Sequence, residues 1–234
     1  MILSKLVRPG NFSLSGTFHE WLLASSCFSC LLLAARMIIT GSAFYLFLPW
    51  NLFLAFIPYW ITWWMTRNVS IIENKIKLAL ALAACLLFIP NSFYIITDLF
   101  HLSNPVATGF RSAPRWFDLL LIFSFAWNGI LCGIISLRRV EIIISLIRGR
   151  NFSVLLVFGV MWLCAFGIYI GRFLRFNSWD IVTDPFSLAA EIVDMIIHPF
   201  ENSYAWGMTL CYAGFMTLLY FTIKKLSESF VPVK

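Results

Sequence analysis

Leu78-Ala-Leu-Ala-Leu-Ala-Ala-Cys-Leu-Leu-Phe-Ile-Pro-Asn-Ser-Phe-Tyr-Ile-Ile-Thr97 is an uncharged run as long as a bilayer is deep. At 1.5 Å per residue such a helix covers about 30 Å, the thickness of the hydrocarbon core. Equivalent runs occupy Leu119–Leu137, Asn151–Gly171 and Asn202–Ile223. Between Trp21 and Thr66 the only charge is Arg36, and the turn signal Thr40-Gly41-Ser42 divides that stretch into Trp21–Ile39 and Ala43–Met65. The expectation is an all-α polytopic membrane bundle with six transmembrane helices near 21–39, 43–65, 77–99, 116–137, 152–171 and 203–223. The membrane domain then covers 21–223, between a cytoplasmic segment 1–20 and a cytoplasmic tail 224–234.

Composition agrees with that class. Of 234 residues 61% are hydrophobic and 12% charged, and the mean hydropathy is +0.86. Soluble domains carry about 25% charged residues and about 45–50% apolar ones, so the surplus here belongs in lipid. A net charge of +6 and a pI near 9.1 also suit nucleic acid. Because the cations flank apolar spans, however, membrane lipids with anionic headgroups are the expected partner, and nucleic acid is not. All six cysteines fall in or beside apolar runs, which argues against a disulfide framework. Cys27-x-x-Cys30 lies within a lipid-length helix and reads as packing rather than redox chemistry. Met1–Glu20 lacks a small-residue cleavage site after a short apolar core, so the first span is expected to be a retained anchor.

The loops sort by charge. Lys5, Arg8, Arg67, Lys75, Lys77, Arg138, Arg139, Arg148, Arg150, Lys224, Lys225 and Lys234 fall on one side, with Glu20, Glu73, Glu141 and Glu228. Arg36, Arg111, Arg115, Arg172 and Arg175 fall on the other, with Asp98, Asp118, Asp180, Asp184, Glu191, Asp194 and Glu201. Twelve cations against four acids leave the first side at +8; five against seven leave the second at −2. The cation-rich side is expected to be cytoplasmic, with both termini there. Trp21, Trp60, Trp63, Trp64, Trp116, Trp179 and Trp206 fall near span ends, as interfacial aromatic belts do. Gly129-x-x-x-Gly133 and Gly167-x-x-x-Gly171 are spaced for close helix approach and read as internal packing.

Polar groups gather on the acid-rich side. Pro49 and Pro58 in the second span and Pro90 in the third are each expected to interrupt helical hydrogen bonding. Asn51 and Asn91 stand beside two of them, roughly 10–12 Å below the outer surface by helical rise. They either line a polar cavity open to the outside or satisfy carbonyls freed by proline. Asn91, Tyr94, Asp98 and His101 follow helical spacing, so they share a stripe if the third helix continues that far. Asp118 opens the fourth span, Arg36 nears the end of the first, and Arg172, Arg175, Asn177 and Asp180 follow the fifth.

Two accounts fit this constellation. Arg36, Arg172 and Arg175 pair with Asp98, Asp118 and Asp180, because charge at membrane depth is costly unless neutralised. Alternatively the arginines bind an anion, since their planar forks suit phosphate or carboxylate. In the second account Asp98 and His101 form a candidate acid–base pair, and Asn51, Asn91, Tyr94, Asp118, Asn177 and Asp180 line the pocket. Asp98, His101 and Asp118 have ligand types suited to a divalent ion, but the spacing is a weak signal and no metal ligands are assigned. No catalytic signature appears, and the sequence leaves any cofactor unknown. Asp184-Pro185 starts an amphipathic helix over 185–198, expected along the outer interface with its acidic stripe toward the protein's own arginines.

Four segments resemble a bacterial family of membrane proteins, domain of unknown function 1361. They are Leu48-Pro-Trp-Asn-Leu-Phe-Leu-Ala-Phe-Ile-Pro58, Phe88-Ile-Pro-Asn-Ser-Phe-Tyr-Ile-Ile-Thr-Asp-Leu-Phe-His-Leu102, Trp116-Phe-Asp-Leu-Leu120 and Gly171-Arg-Phe-Leu-Arg-Phe-Asn-Ser-Trp-Asp180. The resemblance implies a bacterial inner-membrane protein and assigns no catalytic residue. The leading functional expectation is an envelope protein that binds or modifies an anionic lipid or lipid-linked component at its outer face. A small-solute transporter and a non-catalytic assembly partner of an envelope complex are the alternatives.

Overall fold

Six helices are long and apolar enough to cross a membrane: Phe18–Thr40, Phe44–Arg67, Lys75–Leu102, Arg115–Arg148, Arg150–Leu174 and Ser203–Ser229. They come from a computed structural model that describes residues 16–103, 113–176 and 178–229. Asn177 and, from the charge sorting, Lys5, Arg8, Arg111 and Lys234 lie outside the described residues. No strand occurs among the described residues, as expected for an all-α bundle. The chain divides into two compact units, Met1–Ile147 and Arg148–Lys234.

The first unit begins with α1, Gly16–Thr40. Hydroxyls inside it spend their donors on the preceding turn: Ser26 on the Leu22 carbonyl, Ser29 on Ser25 and Thr40 on Arg36. Gly41 ends the helix at φ +66, donating its N–H to the Met37 carbonyl at 2.9 Å. Glycine takes that left-handed backbone without Cβ strain. Nothing stands within 4 Å of where a Cβ would be, so the cost of a side chain there is purely conformational. Gly41→Ala is expected to lower stability by about 1–2 kcal/mol, read as a reduced unfolding midpoint in detergent.

The Ser42 hydroxyl accepts from the Phe44 N–H and starts the next segment, a 3-10 turn Phe44–Leu46 that runs into α2, Phe47–Arg67. Pro49 therefore falls in the first turn of α2, where its missing N–H would have had no helical partner. It does not interrupt the span as its sequence position suggests. Pro58 lies well inside α2. A short helix α3, Val69–Glu73, leads to α4, Lys75–Tyr94, whose first turn is capped by the Asn74 side chain accepting from Ile76 and Lys77. α2 and α4 make the most extensive helix pairing in the unit. One cross-helix bond, from the Ser92 hydroxyl to the Ala55 carbonyl at 3.1 Å, lies in its interior.

The third span does not stay α-helical to its outer end. From Ile95 to Ser103 it winds as a 3-10 helix. Two features favour the change: Ile95, Ile96 and Thr97 are β-branched and lose rotamer freedom in an α-helix. The Thr97 hydroxyl also takes the Tyr94 carbonyl at 2.7 Å. The expected stripe is thereby split, with Asn91 and Tyr94 on α-helix, and Asp98 and His101 one 3-10 turn apart.

The fourth span is α5, Arg115–Arg148. Its 34 residues span about 51 Å, well beyond a hydrocarbon core of about 30 Å. The sequence placed Arg138 and Arg139 in a loop; instead the helix carries both onward. With no Gly or Pro from Ile134 to Arg148, and with Ile143 and Ile144 buried, nothing stops it before Gly149 at φ +89. α5 is also the most enclosed of the six spans, with 61% of its apolar window buried against 22% for α1. Gly129 and Gly133 explain part of that: a Cβ on Gly129 would stand 2.5 Å from Ile95 Cγ2 and 2.9 Å from the Ser92 carbonyl oxygen. Asn128 adds a polar tie, donating to Ser29 Oγ on α1 at 3.1 Å.

The second unit holds α6, Arg150–Tyr169, which passes into a π-helical turn at Ile170–Leu174. After it come α7, Asp180–Thr183, α8, Pro185–Ile197, and α9, Ser203–Ser229, which packs along α6. α8 starts as expected, with the Asp184 carboxylate accepting from the Ser187 N–H at 3.3 Å. It is amphipathic, with Phe186, Val193, Ile196 and Ile197 exposed and only Met195 buried. The Trp206 indole donates to the Met195 carbonyl at 3.0 Å and ties its end to α9.

Candidate functional site

The acid-rich end of the first unit is built from three pieces of chain: the turn between α1 and α2, the 3-10 extension of α4 and the start of α5. Arg36 reaches it from the last turns of α1 and Asp118 from the first turn of α5. Arg36 Nε donates to Asp118 Oδ1 at 2.7 Å and Nη2 to Oδ2 at 3.3 Å, a two-point fork. The arginine is 1% exposed and its guanidinium lies 4.3 Å from the Tyr45 ring centroid. Both backbones support the pair: a cation is favoured at the C-terminal end of α1, and an anion at the N-terminal end of α5. This much of the structural account of the charges holds. Asp118 is taken by Arg36.

Asp98 is fully buried and accepts from Asn51 Nδ2 at 2.8 Å, linking the second turn of α2 to the 3-10 segment. Asn51 thus serves a carboxylate rather than a freed carbonyl. Asn91 donates to the Phe88 carbonyl on its own helix at 3.1 Å, whereas the carbonyl that Pro90 frees belongs to Leu86. His101 packs its ring against Phe44 and Phe47, with centroids 5.8 and 4.8 Å away. Tyr94 is half-buried on the last turn of α4. The first unit therefore brings together Arg36 with Asp118, and Asn51 with Asp98. Among the described residues no three His, Cys, Asp or Glu side chains converge as a metal would require.

Arg172, Arg175 and Asp180 belong to the second unit. Arg172 lies in the π-helical turn, half-buried, and within electrostatic reach of Tyr212 on α9. Arg175 caps that turn at φ +63, the single non-glycine residue at positive φ among those described. Glycine usually fills this position, and an arginine there carries backbone strain. Its side chain is exposed and enters no ion pair among the described residues. Asp180 accepts from the Thr183 hydroxyl at 2.9 Å.

Sequence reading missed the aromatic cluster around this turn. Tyr169 and Phe173 stack at 5.2 Å, Tyr204 meets Phe173 edge-on at 5.4 Å, and Trp206 stacks on Phe166 at 5.5 Å. The i,i+4 spacing of Tyr169 and Phe173 was its visible signal. The acidic stripe of α8 also differs from expectation. Asp194 is held by Asn202 at 3.2 Å and His198 at 3.0 Å, not by an arginine. These two donors, Asn202 first, keep its carboxyl below the usual aspartate range.

Residues 50–219 match a family model described as protein of unknown function (DUF1361), well over half of the chain. The chain belongs to the DUF1361 family. No curated protein and no solved structure matches it. The matched stretch of this DUF1361 protein contains every candidate site residue except Arg36. Its six apolar helices make it a membrane protein of that family.

Proposed function

We propose that this DUF1361 protein binds an anionic lipid headgroup, or the charged group of a lipid-linked envelope component, through Arg172 and Arg175. The observation that carries this reading is Arg175: a strained, exposed arginine with no ion pair among the described residues, three positions from a second arginine. A structural cation would be expected to have an acid, as Arg36 has Asp118. Left-handed backbone in a side chain of this size costs about 1–2 kcal/mol and persists where function uses it. The π-helical turn that presents both arginines is a feature often found at functional sites. The nearby aromatic rings suit the headgroup level of a bilayer.

The charge sorting supports placing this end outside the cytoplasm, in a bacterial inner membrane with both termini cytoplasmic. In the first unit, and independently of the arginines, Asp98 and His101 are proposed as an acid–base pair, with Asn51 donating to Asp98. Purified protein titrated with short-chain phosphatidylglycerol tests the binding step. Arg172→Gln/Arg175→Gln is expected to weaken binding roughly ten- to a hundredfold, the worth of one or two charged hydrogen bonds. Unchanged affinity in that variant would sink the proposal. His101→Ala is expected to leave headgroup binding intact while failing to complement a null strain, which separates chemistry from binding.

A further inference from the structure

Arg139 is a second buried arginine, and unlike Arg36 it makes no ion pair with an acid among the described residues. It is 5% exposed, and its contacts lie on α2: Nη1 donates to the Tyr59 carbonyl at 3.1 Å and to Thr62 Oγ1 at 3.4 Å, and the guanidinium lies 4.5 Å from the Tyr59 ring centroid. The Nε atom is enclosed and without an acceptor among the described residues. Both of these bonds use Nη1; Nε belongs to the Nε–Nη2 edge, whose geometry matches two oxygens of a phosphate or carboxylate.

An arginine cannot shed its charge to relieve this, as a lysine or histidine does. Another cation, Arg67 at the end of α2, lies within electrostatic reach and rests over the Trp63 ring at 4.2 Å. A buried guanidinium with a second cation in reach and an unmet donor is unfavourable until an anion joins it. Position adds the source. Arg139 is 24 residues along α5 from Arg115, about 36 Å by helical rise, just past a hydrocarbon core of about 30 Å. That is the depth of lipid phosphates on the cation-rich side, where Trp63 and Trp64 are also exposed.

We infer that the Nε–Nη2 edge of Arg139, with Arg67 beside it, binds one phosphate-type oxyanion at the headgroup level of the cation-rich side. The site is separate from Arg172 and Arg175 and does not depend on them. It is tested in Arg172→Gln/Arg175→Gln protein, delipidated in a neutral detergent, by unfolding midpoint with short-chain phosphatidylglycerol, diacylglycerol of equal chain length, or inorganic phosphate. The phosphate-bearing ligand is expected to raise the midpoint by roughly 5–10 °C at a hundredfold excess over its Kd, and diacylglycerol is not. A rise with phosphatidylglycerol alone identifies a lipid phosphodiester; a rise with inorganic phosphate identifies a free anion. Arg139→Gln is expected to abolish the rise. If that variant does not purify folded, Arg67→Gln, at an exposed position, is expected to reduce the rise at least severalfold. No rise with either phosphate source, or a full rise in the variant measured, overturns the inference.

Discussion

Asp118→Ala is expected to destabilise the first unit by about 3–5 kcal/mol, because it takes the two-point carboxylate fork away from the buried Arg36 guanidinium. Arg36 is 1% exposed, so it has no route to water without unpacking the α1–α2 hairpin around Tyr45. The loss should appear as a lowered midpoint in a thermal or detergent-unfolding series followed by circular dichroism. Arg36→Met in the Asp118→Ala background is expected to recover much of it, since the double replacement removes the buried charge along with its fork. A double-mutant cycle over the two sites isolates their coupling. If Asp118→Ala were as stable as the parent protein, the pair would hold no part of the fold together.

Gly129→Leu is expected to have the next largest effect, about 3 kcal/mol. The first added carbon already meets the Ser92 carbonyl oxygen at 2.9 Å, and backbone cannot rotate aside as the Ile95 methyl can. The helices must separate, breaking the Ser92–Ala55 bond or the buried contacts of Ile95 beyond it. Overpacking of this kind costs about 1–3 kcal/mol in well-packed interiors, and a backbone clash lies at the upper end or above. The readout is the same unfolding midpoint, with crosslinking as a second measurement. Because Gly129 faces its own chain, oligomeric state should not change. A shift in oligomeric state with unaltered stability would place the glycine at an interface between molecules instead.

Most of the fold was legible because lipid writes long signals. Twenty uncharged residues have few other uses, and Gly41 and Asp184-Pro185 marked their boundaries by backbone chemistry that depends on no distant contact. What escaped was set by tertiary packing. The continuation of α5 past Arg139 depends on Ile143 finding Met65, Ile71 and Ile72, which no local pattern reveals. The 3-10 winding after Tyr94 combines a β-branched run with the Thr97 hydroxyl taking the Tyr94 carbonyl, a choice that helical spacing alone does not reveal. At the candidate site the sequence identified the polar groups but could not pair them. Pairing Arg36 with Asp118, and Asn51 with Asp98, joins positions 82 and 47 residues apart. Charge counting places Arg139 among the loop cations because it is blind to burial.

The overlong α5 leaves this protein with two kinds of interior. Between the headgroups, helices leave an apolar solvent for an apolar neighbour, so little is gained from excluding water and fit decides the outcome. Past Arg139 the same helix joins Met65, Ile71 and Ile72 around Ile143, with Val69 and Leu78 at the rim, at a distance along its axis that lies outside the hydrocarbon. There the driving force is the ordinary aqueous one, with its heat-capacity change and its sensitivity to urea. The protein therefore carries a small water-type domain rooted on a lipid-type stem. A chaotrope too polar to enter the bilayer should loosen the α3 cap and the end of α5 while the spans below remain folded.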